Sequence, residues 1–191
     1  MHSVGDNSSD TQERLYKMLE KLQTLARDIP PKFQQRLPYD LLSSLAHVLL
    51  NNTVFEIVQE LAELQHMTEK SLHQQRSQMI NKHKGEREAL LKSQHEELLA
   101  AERQGKAHVA SRLPRLHKEQ LSQLDARQAQ EVADIHVRIQ QVLDQKVTEQ
   151  QSTLQQVGVP GFHETDNPME IKVQMFIMGF IVRIGGIKVP L

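Results

Sequence analysis

Ten histidines are the residues of this chain best suited to chemistry, because neutral imidazole ligates metals and changes charge near neutral pH. Only His95-Glu96-Glu97-Leu98-Leu99 approaches the helix on which a zinc protease holds two histidines one turn apart, with a glutamate base beside the first. One turn on from His95 stands Leu99, so the second ligand is missing. Cys is absent, which excludes thiolate zinc sites, disulfides and thiol nucleophiles and suits a reducing intracellular compartment, nucleus or cytoplasm. Gly85, Gly105, Gly158, Gly161, Gly179, Gly185 and Gly186 never fall into the spacing of a phosphate loop or dinucleotide turn. No Ser-His-Asp set or carboxylate pair can be assembled from local spacing. No catalytic, cofactor-binding or metal-binding residue is therefore assigned, and the chain is read as a non-enzyme without a cofactor.

Charge offers a second kind of chemistry. Lys and Arg total 23 against 24 Asp and Glu, so the chain as a whole lacks the basic excess of a nucleic-acid or anionic-membrane binder. Two local basic groups stand out, Lys82, Lys84 and Arg87, then Arg112, Arg115 and Lys118. Glu86, Glu88 and Glu119 lie among them, and no aromatic residues are interleaved for base stacking. They read as solvated helix faces, with nucleic-acid binding as the alternative that salt-sensitive binding would reveal.

The elements that must carry these residues are helices. Only 38% of residues are hydrophobic and 4% aromatic, with no Trp, which is too little for a large compact core. Residues 1–9 are polar, lack the apolar stretch of a secretory signal and are expected to be disordered. Residues 10–66 are expected to form a small helical cluster. Leu15, Met18, Leu19, Leu22, Leu25, Ala26 and Ile29 recur at steps of three and four, and Pro30-Pro31 ends that helix. Pro38 opens a short apolar helix through Leu41, Leu42, Leu45, Val48, Leu49 and Leu50. Thr53 with Glu56 forms a capping-box pattern before the next helix. Its apolar face, Val54, Phe55, Val58, Leu61 and Leu64, is the candidate interaction face.

Residues 67–156 hold almost no helix breaker outside Gly105–Pro114, so they predict two long polar helices bent there into an antiparallel hairpin. A heptad frame runs through Leu72, Met79, His83 and Leu90 on the first arm and Leu121, Val132, Ile135, Ile139 and Val142 on the second. Arg76, Glu86, Glu97, Asp125, Gln128 and Lys146 interrupt it, which makes the seam weak. His83 in that seam would make pairing pH-sensitive. Isolated polar arms are marginal, so these must pack on each other or on a partner. Residues 157–167 form a loop, and Asn167-Pro168-Met169-Glu170 reads as N-cap, first-turn proline and capping-box acid of a helix in residues 168–191. Its apolar run is near a dozen residues, short of the roughly 20 of a membrane span, so no transmembrane span is expected.

Phe33-Gln34-Gln35-Arg36-Leu37, Thr53-Val54-Phe55-Glu56-Ile57-Val58-Gln59, Gln65-His66-Met67-Thr68-Glu69-Lys70-Ser71-Leu72 and Asp144–Leu154 resemble the gonadal protein family, which includes the vertebrate DiGeorge syndrome critical region six protein. The resemblance covers roughly residues 13–175. It lapses after about Met175, where Phe176-Ile177-Met178-Gly179-Phe180 and Gly185-Gly186 replace the more polar helix expected. The resemblance implies a helical coiled-coil protein without known enzymatic activity, nuclear placement in vertebrate members, and a link to germline or embryonic development. The resulting expectation is an all-α scaffold: a small N-terminal helical cluster, a long antiparallel coiled-coil-like hairpin and a short C-terminal helix. Its partners are other proteins docking on helix faces, a second copy of the chain among them.

Overall fold

The computed structural model describes residues 5–188, with side chains from Ser9 to Lys188. It is all-helical: α1 (Gly5–Arg27), α2 (Pro31–Gln34), α3 (Tyr39–Val48), α4 (Thr53–Arg103), α5 (Ala107–Ala110), α6 (Leu113–Gln156) and α7 (Pro168–Gly185). These helices fall into two units. One takes in the described residues up to Met67 and from Asp144 on; the other is Thr68–Leu143. Composition alone places a boundary after residue 156, yet the end of α6 and all of α7 belong with the N-terminal helices. Of the residues 1–9 expected outside any element, Gly5–Ser9 start α1 and residues 1–4 lie outside the described part.

In the first unit Leu19, Leu22 and Ala26 of α1 pack with Leu42, Leu45 and Leu49, with Val54 and Val58 of α4, and with Leu154 of α6. Val159, Phe162 and the α7 residues Val173, Ile177, Phe180 and Ile181 complete this core. Enclosing such a Leu, Ile or Val side chain contributes about 1.5–3 kcal/mol relative to leaving it exposed. Helix α1 stops at Arg27, before the diproline. The Gln34 carboxamide donates to the freed carbonyls of Arg27 (3.0 Å) and Ile29 (2.7 Å). Phe33 of α2 is thereby seated in the core, its ring centroid 5.1 Å from that of Phe176.

The caps differ from the sequence pattern. Helix α4 starts at Thr53, but its first amide and hydroxyl both donate to the Asn51 side-chain oxygen, at 3.1 and 2.8 Å. Asn51 therefore caps the helix in place of the Thr53–Glu56 box, because its Asx side chain, two residues before Thr53, reaches the orphan amide first. At α7, Asn167 Oδ1 accepts from the Met169 amide at 2.9 Å, as expected of an N-cap. Glu170, however, turns to the Thr165 hydroxyl (2.6 Å) and His163 Nε2 (3.2 Å), pinning the preceding loop. Gly186 closes the helix in the left-handed conformation, φ 60°, with the Ile187 amide donating to Val182 at 3.0 Å.

A buried glutamine pair fixes the loop between α6 and α7. Gln151 Nε2 donates to Gln174 Oε1 (2.9 Å) and to the Thr165 carbonyl (3.1 Å), while Gln151 Oε1 accepts from the Thr165 amide (3.2 Å). Gln174 Nε2 in turn donates to the carbonyls of His163 (3.0 Å) and Gly161 (3.3 Å). Gly161 has φ 86°, and a Cβ there would stand 2.7 Å from the Ile177 side chain, so only glycine lets the loop lie this close to α7.

Candidate functional site

Within Thr68–Leu143, the α4 and α6 segments run antiparallel, joined through Gly105 (φ 64°) and α5. Side-chain hydrogen bonds across the pair hold one register. His83 Nε2 lies 2.8 Å from Glu131 Oε2, and since a carboxylate only accepts, this ring nitrogen carries the proton. Gln128 Nε2 donates to the His83 carbonyl (3.0 Å) and Glu86 (3.2 Å). Gln94 Nε2 donates to Gln120 Oε1 (2.9 Å) and the His117 carbonyl (3.1 Å), and His117 Nε2 donates to Glu97 (3.0 Å). The same register sets Leu72 level with Val142, Met79 with Ile135, Leu90 with Leu124, and Ala101 with Leu113.

The layers recur every 11 residues. On α4 the series are Leu72, His83, Gln94; Gln75, Glu86, Glu97; and Met79, Leu90, Ala101. On α6 they are Gln120, Glu131, Val142; His117, Gln128, Ile139; and Leu113, Leu124, Ile135. Three helical turns take about 10.8 residues, so an 11-residue repeat returns to the same face with little drift. From the Met79–Ile135 layer through Leu90–Leu124 to Ala101–Leu113 an apolar layer therefore appears about every 16 Å along the pair, with two largely polar layers between neighbours, and Leu72–Val142 adds a further apolar layer beyond Met79.

This corrects the heptad reading. Of that frame Leu72, Met79, His83, Leu90, Ile135, Ile139 and Val142 lie in the seam, joined by Gln94, Leu113 and Leu124. Leu121 and Val132 lie on its flank. The physical reason is that His83 and Gln94, only 8% and 6% exposed, occupy seam positions with their hydrogen bonds satisfied across the hairpin. The heptad frame includes His83 but passes over Gln94, which a count of apolar residues reads as surface. Spacing of three, four and four along the polar residues was the signal that would have found them.

The two flanks of the hairpin differ. One carries Lys82, Glu86, Arg127 and Glu131, with Arg127–Glu86 at 2.7 Å and Lys82 3.6 and 3.8 Å from Glu86 and Glu131. Glu131 is held below its usual value of 4.5, chiefly by the His83 hydrogen bond, then against burial by Lys82, His83 and Arg127. Glu86 is likewise lowered, chiefly by Gln128 and then, against burial, by Arg127 and Lys82. Among the described residues the other flank has a single cross-arm ion pair, Arg87 with Asp125, among apolar side chains. Ile80 and Leu91 there are 48% and 45% exposed.

The face proposed on the first part of α4 is divided. Val54 and Val58 are enclosed in the first unit's core, Phe55 and Leu61 are half-buried against it, and Leu64 is exposed. A docking surface formed by all five is thus excluded for the fold as it stands, since the helix spends that stripe on its own unit. The two basic groups also separate. Lys82, Lys84 and Arg87 each have a carboxylate partner. Arg112, Arg115 and Lys118 are exposed, and none is ion-paired among the described residues.

Glu149 and Glu164, with Thr148, Ser152 and Thr153, line an open depression of 380 Å³ in the first unit, where Lys146 and Gln145 already engage Glu149. His95 is exposed on α4, and among the described residues no three His, Asp or Glu side chains converge on a metal position. No single helix among them is long and apolar enough to cross a membrane. The one bent pair that passes by composition, α3 with the start of α4 at 93°, supplies Leu42, Leu45, Val54 and Val58 to the core.

The profile of the family described as DiGeorge syndrome critical region 6 (DGCR6) protein matches residues 1–189. Gonadal protein gdl of Drosophila melanogaster is 37% identical over 177 residues, covering 93% of this chain and 82% of that protein. Protein DGCR6 of Gallus gallus is 40% identical over 173 residues, 91% of this chain and 84% of its own length. No solved structure matches. The match to residue 189 runs beyond Met175, so the last helix is family sequence, contrary to the lapse expected there. Its apolar character follows from the burial of Val173, Ile177, Phe180 and Ile181.

Proposed function

The chain belongs to the DiGeorge syndrome critical region 6 protein family, and from that premise we propose that it is a non-enzymatic helical scaffold whose partners are other proteins docking on the Thr68–Leu143 hairpin. The observation that carries this reading is the apolar flank. Ile80 and Leu91 remain nearly half exposed on a hairpin whose inner seam is already satisfied by its polar layers. A partner helix laid along that flank gains apolar burial without breaking any hydrogen bond between the arms. The fly relative's name, gonadal protein, supports a role in germline or embryonic development. The lack of cysteine supports action in a reducing compartment, nucleus or cytoplasm.

A second reading, a nuclear nucleic-acid-associated factor, is favoured by Arg112, Arg115 and Lys118 near the turn of the hairpin, exposed and without ion pairs among the described residues. Affinity purification of the full chain with and without nuclease separates the two. A scaffold keeps its partner proteins after nuclease, and those partners are lost from a Leu91→Glu variant. Loss of every partner on nuclease treatment, with salt-sensitive binding that Arg112→Glu abolishes, would select the second reading.

A further inference from the structure

The apolar flank is long and ordered. On the side marked by the Arg87–Asp125 pair, the same offset places Ile80 by Val132 and Leu91 by Leu121, 11 residues apart, and Leu98 and Leu143 extend the stripe at either end. The Arg87–Asp125 ion pair sits between the two inner layers and marks the stripes of α4 and α6 as sharing one side of the hairpin. From Leu98 to the level of Leu143 is about 40 Å along α4, and two helices present a face about 20 Å wide, roughly 800 Å². That is the area each partner contributes to a stable interface of ordinary size.

We propose that this flank is the interface of a two-fold dimer of the chain, in which the hairpin of a second copy packs with the dyad parallel to the hairpin axis and completes a four-helix bundle. This inference rests on the interaction reading given above and names its partner. Two observations select a second copy. A partner stays in step along 40 Å only if its own side chains recur every 11 residues, as these hairpins do. The central ion pair is also self-complementary under this symmetry. With the dyad along the hairpin, α4 faces α6 of the other copy at the same level, so Arg87 faces the partner's Asp125 and Asp125 faces the partner's Arg87. With the dyad across the hairpin, α4 would face α4, and Arg87 would meet a like charge. In the favoured arrangement every helix has antiparallel neighbours, so the helix dipoles oppose one another. A formal net charge of −1 leaves little long-range repulsion between copies.

The test uses the full chain at micromolar concentration. Sedimentation should give twice the 21.9 kDa chain mass. Ile80→Glu and Leu91→Glu, at exposed positions, should keep their helical circular dichroism and sediment as single chains. Arg87→Asp and Asp125→Arg should each be monomeric, and an equimolar mixture of the two should recover the doubled mass, a result that loss of the pair within one chain does not produce. Because the chain has no native cysteine, the orientation can be read directly. Arg87→Cys mixed with Asp125→Cys should cross-link, and Arg87→Cys alone should not. A wild-type mass of one chain, or Leu91→Glu with the doubled mass, overturns the dimer; cross-linking of Arg87→Cys with itself overturns the orientation. If the chain is monomeric yet retains other proteins after nuclease, the dimer fails and the scaffold reading stands. A dimer that retains no other protein upholds this interface and removes the wider scaffold role.

Discussion

Phe55 meets Gly185 where the start of α4 crosses the end of α7. A Cβ built on Gly185 would lie 2.5 Å from the Phe55 ring, so each residue depends on the other's size. Gly185→Ala should lower stability by about 1–3 kcal/mol through overpacking. Phe55→Ala should cost about 2–3 kcal/mol, below the usual range for an enclosed phenylalanine because the ring is only half-buried. Thermal unfolding followed by circular dichroism checks both; a Gly185→Ala chain as stable as wild type would mean that the ring yields freely. Gln174→Leu tests the buried glutamine pair, since it removes one of the two acceptors of the Gln151 amide and strands two loop carbonyls. A loss of about 1–3 kcal/mol is expected. The sequence made Phe55 visible as an apolar residue on an apolar helix, but its partner was invisible, because the absence of a side chain leaves no pattern. Gln151 and Gln174 were hidden for a related reason: a polar residue reads as surface until its hydrogen bonds are seen.

The hairpin was legible as an element from its lack of helix breakers and the bend at Gly105, while its register was not. Register is set by cross-arm bonds such as His83–Glu131 and Gln94–Gln120, whose members are separated by 48 and 26 residues. Local periodicity carries no information about such pairs. These bonds also set an acid response. Glu86 and Glu131 titrate below 4.5 in the folded hairpin, so between their folded and unfolded values the unfolded chain binds more protons. Their stabilisation is complete above the unfolded value and fades as pH falls through the folded one. The thermal midpoint should therefore drop on acidification below about 4.5, and Glu131→Gln should flatten part of that drop. A Glu131→Gln chain with the wild-type slope would show that this carboxylate is not linked to folding.

At the scale of the whole molecule, the first unit is built from two stretches of chain with the hairpin sequence between them. Leu22 and Leu45 share a core with Leu154, Ile177 and Ile181. The Gly158–Gly161 break looked like a boundary between domains, but Val159 and Phe162 within it are buried and its positive-φ glycines serve a turn inside one unit. A chain truncated after Leu143 should consequently lose cooperative unfolding of α1 and α3, as followed by circular dichroism on heating, even though every residue of those helices is present. Retention of a sharp transition would show that the N-terminal helices fold without α7.

The 11-residue layering makes the length of the hairpin a matter of discrete steps. Excising residues 80–90 together with 124–134 shortens both arms by one full repeat, brings Leu91 to the place of Ile80, and lets Gln94–Gln120 stand where His83–Glu131 stood. Excising 84–90 with 124–130, a heptad from each arm, removes an apolar layer with only one polar layer and leaves 14 residues between Met79 and Ala101 without another. The first protein should fold with a thermal midpoint close to wild type, and the second should melt markedly lower although it loses fewer residues. Natural or engineered variants of this hairpin should accordingly tolerate length changes in elevens, matched between the arms, and reject sevens.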